Sequence, residues 1–340
     1  MRGAKGKVDG GRMDDGLDEA RRGVPAFPVP GPAEQRERER RRHLLGEIDR
    51  MAGRGTGPLV GRRRHLAVLG SAVAVGVLTL TLGFPSTPPP GAPAAPADPT
   101  TVALLERAAL AAASEPEAPV RADQYVYLKV VGHTAYLTEN AAGGMDRGRQ
   151  REDAERWTSV DGTRPGLARQ GGREEPIRAT SGGKAGFHSP TYAFAASLPS
   201  DPDELLGLLR EDALRNHGPG SDSTTGPDQQ AFVAIGDLLR GTVVPPATTA
   251  ALYRAAARIP GVVTLPDAVD AAGRTGVAVA RVHGGERVEW IFDGTTGRFL
   301  GERLVLTRAG AWGEAGDVVT SVAVVGRGVV DEPGQLPSAR

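Results

Sequence analysis

The chain has 340 residues, with 41 basic and 41 acidic side chains, 47 glycines, 27 prolines and no cysteine. Absence of cysteine excludes a disulfide framework, a thiolate zinc site, an iron–sulfur cluster and a cysteine nucleophile. The zero net charge hides an asymmetry: residues 1–64 carry 16 basic and 10 acidic groups, against 25 and 31 in residues 65–340.

Residues 1–33 are rich in glycine, proline and charge, which predicts a disordered tail. Met13 offers a second candidate start within it. Residues 34–61 read as a basic amphipathic helix and a link. Leu44, Leu45, Ile48 and Met51 recur at helical spacing after EQRERERRRH, and a glycine-rich stretch follows. Such a helix suits the cytoplasmic surface of a bilayer or a cytoplasmic protein.

Residues 62–84 predict a transmembrane anchor. Leu66 to Phe84 is 19 residues without charge or proline, carrying Leu66, Val68, Leu69, Val73, Val75, Val77, Leu78, Leu80, Leu82 and Phe84 as its large apolar side chains. As a helix it extends about 28 Å, close to the thickness of a hydrocarbon core. Arg62, Arg63 and Arg64 abut its N-terminal end, whereas the first basic residue after it is Arg107. By the positive-inside rule the N-terminus lies in the cytoplasm and the C-terminal part outside. The long region before the apolar run argues for an uncleaved anchor over a signal peptide.

Residues 85–99 hold seven prolines and predict an extended, semi-rigid linker. Residues 100–335 then read as one extracytoplasmic domain, with 336–340 as a tail. The domain opens on a Thr-capped helix, TTVALLERAALAAASE, followed by the strand DQYVYLKVVGHTAYL and a second, ERWTSVDGTRPG, closing in an Asp-Gly turn. Residues 139–151 and 166–186, rich in glycine and arginine, predict mobile loops or a poorly specified hairpin. Three helices follow, over 198–216, 229–241 and 245–259. Strands return at 262–265, 274–282, 287–294, 297–307 and 317–325, with a tight hairpin loop at Asp293–Gly297. This order is α+β, with an antiparallel sheet packed on helices, not the alternation of a parallel sheet.

No motif carries recognisable chemistry. None of the six histidines pairs at a metal-binding spacing, and there is no nucleophile elbow or phosphate loop. Asp201 and Asp203 read as favourable charges at a helix N-terminus, and the arginine-rich segment 147–178, interspersed with carboxylates, as a solvated surface with no nucleic acid partner. Tyr125, Tyr127, Trp157, Trp290 and Phe292 lie in strands. They are core residues by default, and candidate ligand-facing residues if the sheet is concave. No catalytic, cofactor or metal residue is expected, and no enzyme activity.

The strand DQYVYLKVVGHTAY, the WTSVDGTRPG turn, YAFAASLPSDPDELLGLLRE, LYRAAARIPGVVTLPDAVDAAGRTGVAVAR and EWIFDGTTGRFLGERLVLT together resemble a family of actinobacterial single-pass membrane proteins. Their genes often sit beside those of extracytoplasmic-function sigma factors. The 37 arginines against 4 lysines agree with a GC-rich genome. The resemblance covers most of residues 13–335 and implies a sigma factor or another cytoplasmic regulator as partner, but supplies no site residues. The order of elements is also similar to the lipoprotein-carrier class, whose curved antiparallel sheet shelters an acyl chain, and to the sensor domain of some periplasmic sigma regulators. An envelope lipid is the ligand this implies. The expectation is a membrane-anchored extracytoplasmic sensor or binding protein, with a carrier or scaffold as the alternative and an envelope hydrolase behind both.

Overall fold

The computed structural model describes residues 95–338, apart from 118, 141–143, 180–184 and 218–225. The predicted tail, basic helix and apolar stretch Leu66–Phe84 lie outside the described residues. Among the described residues no helix is long and apolar enough to cross a membrane.

Helix α1 (Pro99–Ala113) is followed by strands β1 (Tyr125–Glu139), β2 (Met145–Ser159), β3 (Gly166–Gln170) and β4 (Arg173–Ile177). Helices α2 (Tyr192–Ala196), α3 (Pro202–His217), α4 (Gly226–Gly241) and α5 (Pro246–Ala256) come next. Strands β5 (Val262–Val269), β6 (Thr275–His283), β7 (Glu286–Phe292), β8 (Phe299–Leu306) and β9 (Val318–Val330) complete the chain. All nine strands form one sheet in the order β4-β3-β2-β1-β9-β8-β7-β6-β5, and every pairing is antiparallel. Two meanders, β1–β4 and β5–β9, are thus joined where the first strand meets the last, and helices α2–α5 are the excursion between them. The α+β class expected from the order of elements is what the chain adopts.

Helix starts follow from local chemistry. Asp98, not a threonine as expected, caps α1 by accepting the Thr100 N–H at 2.7 Å, with Pro99 in the first turn. Asp201 caps α3, its Oδ1 accepting the N–H groups of Asp203 and Glu204 at 2.9 Å each. Backbone bonds from Asp98 to Val262 O and from Gly261 to Ala95 O stitch the end of the proline-rich stretch to β5.

Strand parity decides what each sheet face carries. Val126, Leu128 and Val130 on β1, Val322 and Val324 on β9, Val288, Trp290 and Phe292 on β7, and Val279 on β6 join the main core with the helices. Trp290 stacks on Phe232 of α4 at 3.8 Å between centroids and 5° between planes. Phe292 meets Tyr253 of α5 edge-on at 5.3 Å. The other face carries no helix among the described residues.

On that helix-free side the β5–β8 half bends sharply. Arg274, immediately before β6, donates through Nη2 to the carbonyls of Leu300 on β8 and Val324 on β9, each at 3.0 Å. Arg303 of β8 reaches Val269 O of β5. Flat strands about 4.8 Å apart would hold these groups out of reach. The roll buries Ala268, Ala278, Ile291 and Leu300 as a small second cluster. It also encloses Glu289, fully buried between Arg287, at 2.6 Å, and Arg303.

Two stretches, within 139–151 and 166–186, expected as mobile loops or a poorly specified hairpin, both take the paired form. Residues 145–154 form the outer half of β2, paired residue for residue with β1 from Glu139↔Met145 to Val130↔Ala154. Residues 166–177 form the β3–β4 hairpin. Their polar composition suits exposure on both faces, and the long β1 ladder, not burial, makes them strand. Strand β9 also runs on to Val330, where it pairs with Tyr125.

Candidate functional site

Tyr125 and Tyr127 of β1 point to the helix-free face, as does Trp157, the direct partner of Tyr127 on β2. Their rings form a cluster with Val330, and Leu167 packs against it. Tyr127 and Trp157 lie 5.2 Å apart at 46°. Two guanidinium groups cover the cluster, Arg164 at 4.8 Å from the Tyr125 ring and Arg169 at 5.1 Å from that of Trp157.

A polar network borders these rings. The Tyr127 hydroxyl donates to Glu155 Oε1 at 2.8 Å, Arg169 Nη1 donates to Glu155 Oε2 at 3.1 Å, and Lys129 Nζ stands 3.9 Å away. Burial, reinforced by the Glu155 carboxylate, pushes the Tyr127 phenol up to about 12. Burial also acts to raise the Glu155 carboxyl, but the bonds from Tyr127 and Arg169 outweigh it and leave the group below its ordinary value.

The end of the chain lies over the same cluster. Trp157 Nε1 donates to Gln335 O at 2.5 Å. Asp331 Oδ1 accepts from Arg121 at 2.7 Å and Gln124 at 2.9 Å. Gln335 Oε1 accepts the N–H groups of Asp331 and Glu332 at 3.2 Å, folding the segment into a compact turn. Pro337 packs against Gly328, where a Cβ would lie 2.6 Å from the Pro337 ring. The rings of Tyr125, Tyr127 and Trp157 are consequently buried, although they sit on the face without helices.

Of the five aromatic residues singled out in the sequence, the structure brings these three together. Trp290 and Phe292 lie on the opposite face, inside the helix-packed core, so the five do not line one wall. Asp203 pairs with Arg258 at 2.9 Å and Glu174 with Arg169 at 2.7 Å. Among the described residues no group of three His, Asp or Glu side chains is placed to hold a metal ion.

The loop between β8 and β9 brings in a residue the sequence reading passed over. Trp312, set among small residues in AGAWGEAG, packs with Leu306 and Val319 in a cluster at one end of the sheet. It borders two clefts. One, of about 400 Å³, lies toward β1 and β2. The other, of about 220 Å³, is lined by Glu286 and Arg308 among others. Burial raises the Glu286 carboxyl to about 6, against the opposing pull of Arg308. A lone aromatic in a glycine-rich loop was the available signal, but nothing local marked its neighbours.

No family model matches the chain, and no curated protein matches it. Six chains of solved structures do. The crystal structure of MucB is 15% identical over 71% of this chain and 61% of that one, with a TM-score of 0.22. The structure of MucB in complex with MucA(peri) is 14% identical over 70% and 57%, again at 0.22. The chain thus spans about three fifths of the length of these structures, and the likeness passes no residue role to it.

Proposed function

We propose that the chain is a membrane-anchored sensor or binding protein, non-catalytic, whose described domain lies outside the membrane. It presents the helix-free face of its sheet to a ligand or partner and so influences a sigma factor's control inside. The observation that carries this reading is the asymmetry of the sheet. One face is sealed by helices and filled by side chains. The other exposes charged side chains, ends in two clefts, and holds an aromatic cluster under the last residues of the chain. The uncharged stretch Leu66–Phe84 behind Arg62–Arg64 supports the anchor and its orientation. The basic segment around Arg36–Met51 is the cytoplasmic contact. Buried carboxylates such as Asp270 and Glu289 are engaged by arginines, which supports binding over hydrolysis.

A carrier of envelope lipid without signalling is the second reading. Packing between sheet and helices leaves it only the helix-free face. Co-purification of the full chain with the extracytoplasmic-function sigma factor of its gene neighbourhood, or with that factor's regulator, tests the first reading. Association from carbonate-washed membranes is the expected result. No association, together with envelope lipid extracted from the purified chain, favours the carrier.

A further inference from the structure

We propose that the cleft beside Trp312 binds a carboxylate on an apolar body, such as an aryl carboxylate. This inference stands apart from anchoring and signalling, since it rests on the cleft alone.

Strand β2 places Arg147, Arg149 and Arg151 at alternate positions, directly across from Leu137, Ala135 and His133 of β1 and on the same face of the sheet. Arg147 and Arg149 line the cleft of about 400 Å³ with Ala135, Trp312, Asp317 and Val319. This is within the size range of small-molecule sites. Arg149 has no ion pair among the described residues, and Arg147 has only a long one, 4.0 Å from Asp317 Oδ2. That Asp317 oxygen is already engaged, accepting the Glu314 N–H at 2.8 Å. Arg147 also leans over Gly313, where a Cβ would lie 3.1 Å from its Nη1, so the guanidinium is seated against the Trp312 loop.

A second, independent observation points to a ligand. Trp312 is 8% exposed, and its indole Nε1 is buried with no hydrogen-bond partner. A buried N–H donor left unpaired is costly and uncommon in native proteins. An acceptor entering between this ring and the arginines relieves it, with a small adjustment of a loop carrying glycines at Gly310, Gly313 and Gly316.

Charge selects the ligand class. Two arginines and one aspartate leave the lining with one positive charge in excess, which matches a monoanionic carboxylate better than a dianionic phosphate. Guanidinium groups bind carboxylates through paired N–H donors. Trp312, Ala135 and Val319 supply the apolar wall.

The test uses the purified full chain with ¹⁵N-labelled tryptophan. Its three tryptophans give three indole N–H resonances, and Trp312→Phe identifies the one concerned. Titration with benzoate is expected to move the Trp312 resonance saturably, with half-saturation at about 1 mM, leaving those of Trp157 and Trp290 in place. Benzamide, neutral and of the same shape, is expected to bind at least about tenfold more weakly, as is benzoate to the Arg147→Gln/Arg149→Gln variant. Both arginines are exposed on the outer half of β2, so that variant keeps the fold, which the unchanged Trp157 and Trp290 resonances verify. The proposal is overturned if benzoate gives no saturable shift, or if benzamide or the variant binds as well. Tighter binding of inorganic phosphate than of benzoate overturns the carboxylate assignment.

Discussion

Trp290→Ala is expected to lower the unfolding free energy by about 3–5 kcal/mol, the range for removing a fully buried aromatic side chain. Trp290 is 0% exposed and stacked on Phe232, itself 0% exposed. Strand β7 holds the backbone of residue 290 between β6 and β8, at Val279 and Glu302, so the sheet cannot close over the vacated space. Gly236 of α4 shows how tightly the helix approaches, since a Cβ there would overlap both the Trp290 ring nitrogen and the Glu302 carboxylate. A typical domain is stable by only about 5–15 kcal/mol, so the loss is a large share of the total. Urea denaturation followed by circular dichroism checks it, with a lower midpoint and an unchanged slope expected. A cost below about 1 kcal/mol would mean that the helices do not pack on this face as described.

Arg274→Met is expected to cost about 3 kcal/mol, at the low end for breaking a buried ion pair because the arginine itself is partly exposed. The Asp270 side chain is 0% exposed and held by Arg274 Nε at 2.7 Å and by the N–H groups of Ala272 and Arg274 at 2.9 and 2.8 Å. Removing the guanidinium leaves that carboxylate without its counter-charge, and leaves the Leu300 and Val324 carbonyls without their donor. The same change loosens the tie that holds the β5–β6 hairpin over β8 and β9. Amide exchange in Val262–Val269 is therefore expected to quicken more than in α4. Pairing the change with Asp270→Asn isolates the coupling: the double variant is expected to be less destabilised than the sum of the two single variants. Strict additivity would mean that the pair does not act as a unit.

Much of the architecture was legible because local and global signals agree. Asp201 precedes a run of helix formers and does cap it, whereas the first helix is capped by Asp98, ahead of the threonine expected there. The β-branched and aromatic run from Tyr125 alternates between two faces that are both buried. Residues 145–154 carried no such signal. Their arginines and acids look like loop, and only the fifteen-residue β1 beside them, a non-local partner, makes them strand. The aromatic residues show a different limit. Parity shows that Tyr125 and Tyr127 share a face and that Trp290 and Phe292 share a face. It does not show which face the helices take, and that choice separates Trp157 from Trp290. The closing segment was hidden for a third reason. Its hold on the sheet rests on a few long-range contacts, such as Trp157 with Gln335, which leave no periodic trace in DEPGQLP.

In the proposed function the helix-free face does the binding. Photocrosslinking in cells tests it most directly, with a crosslinking amino acid placed singly at Arg151 on that face and at Leu110 and Leu214, which are exposed on α1 and α3 at 58% and 54%. Adducts of discrete mass from position 151, and none from 110 or 214, are the expected result. Adducts from the helical positions with none from 151 would contradict the account.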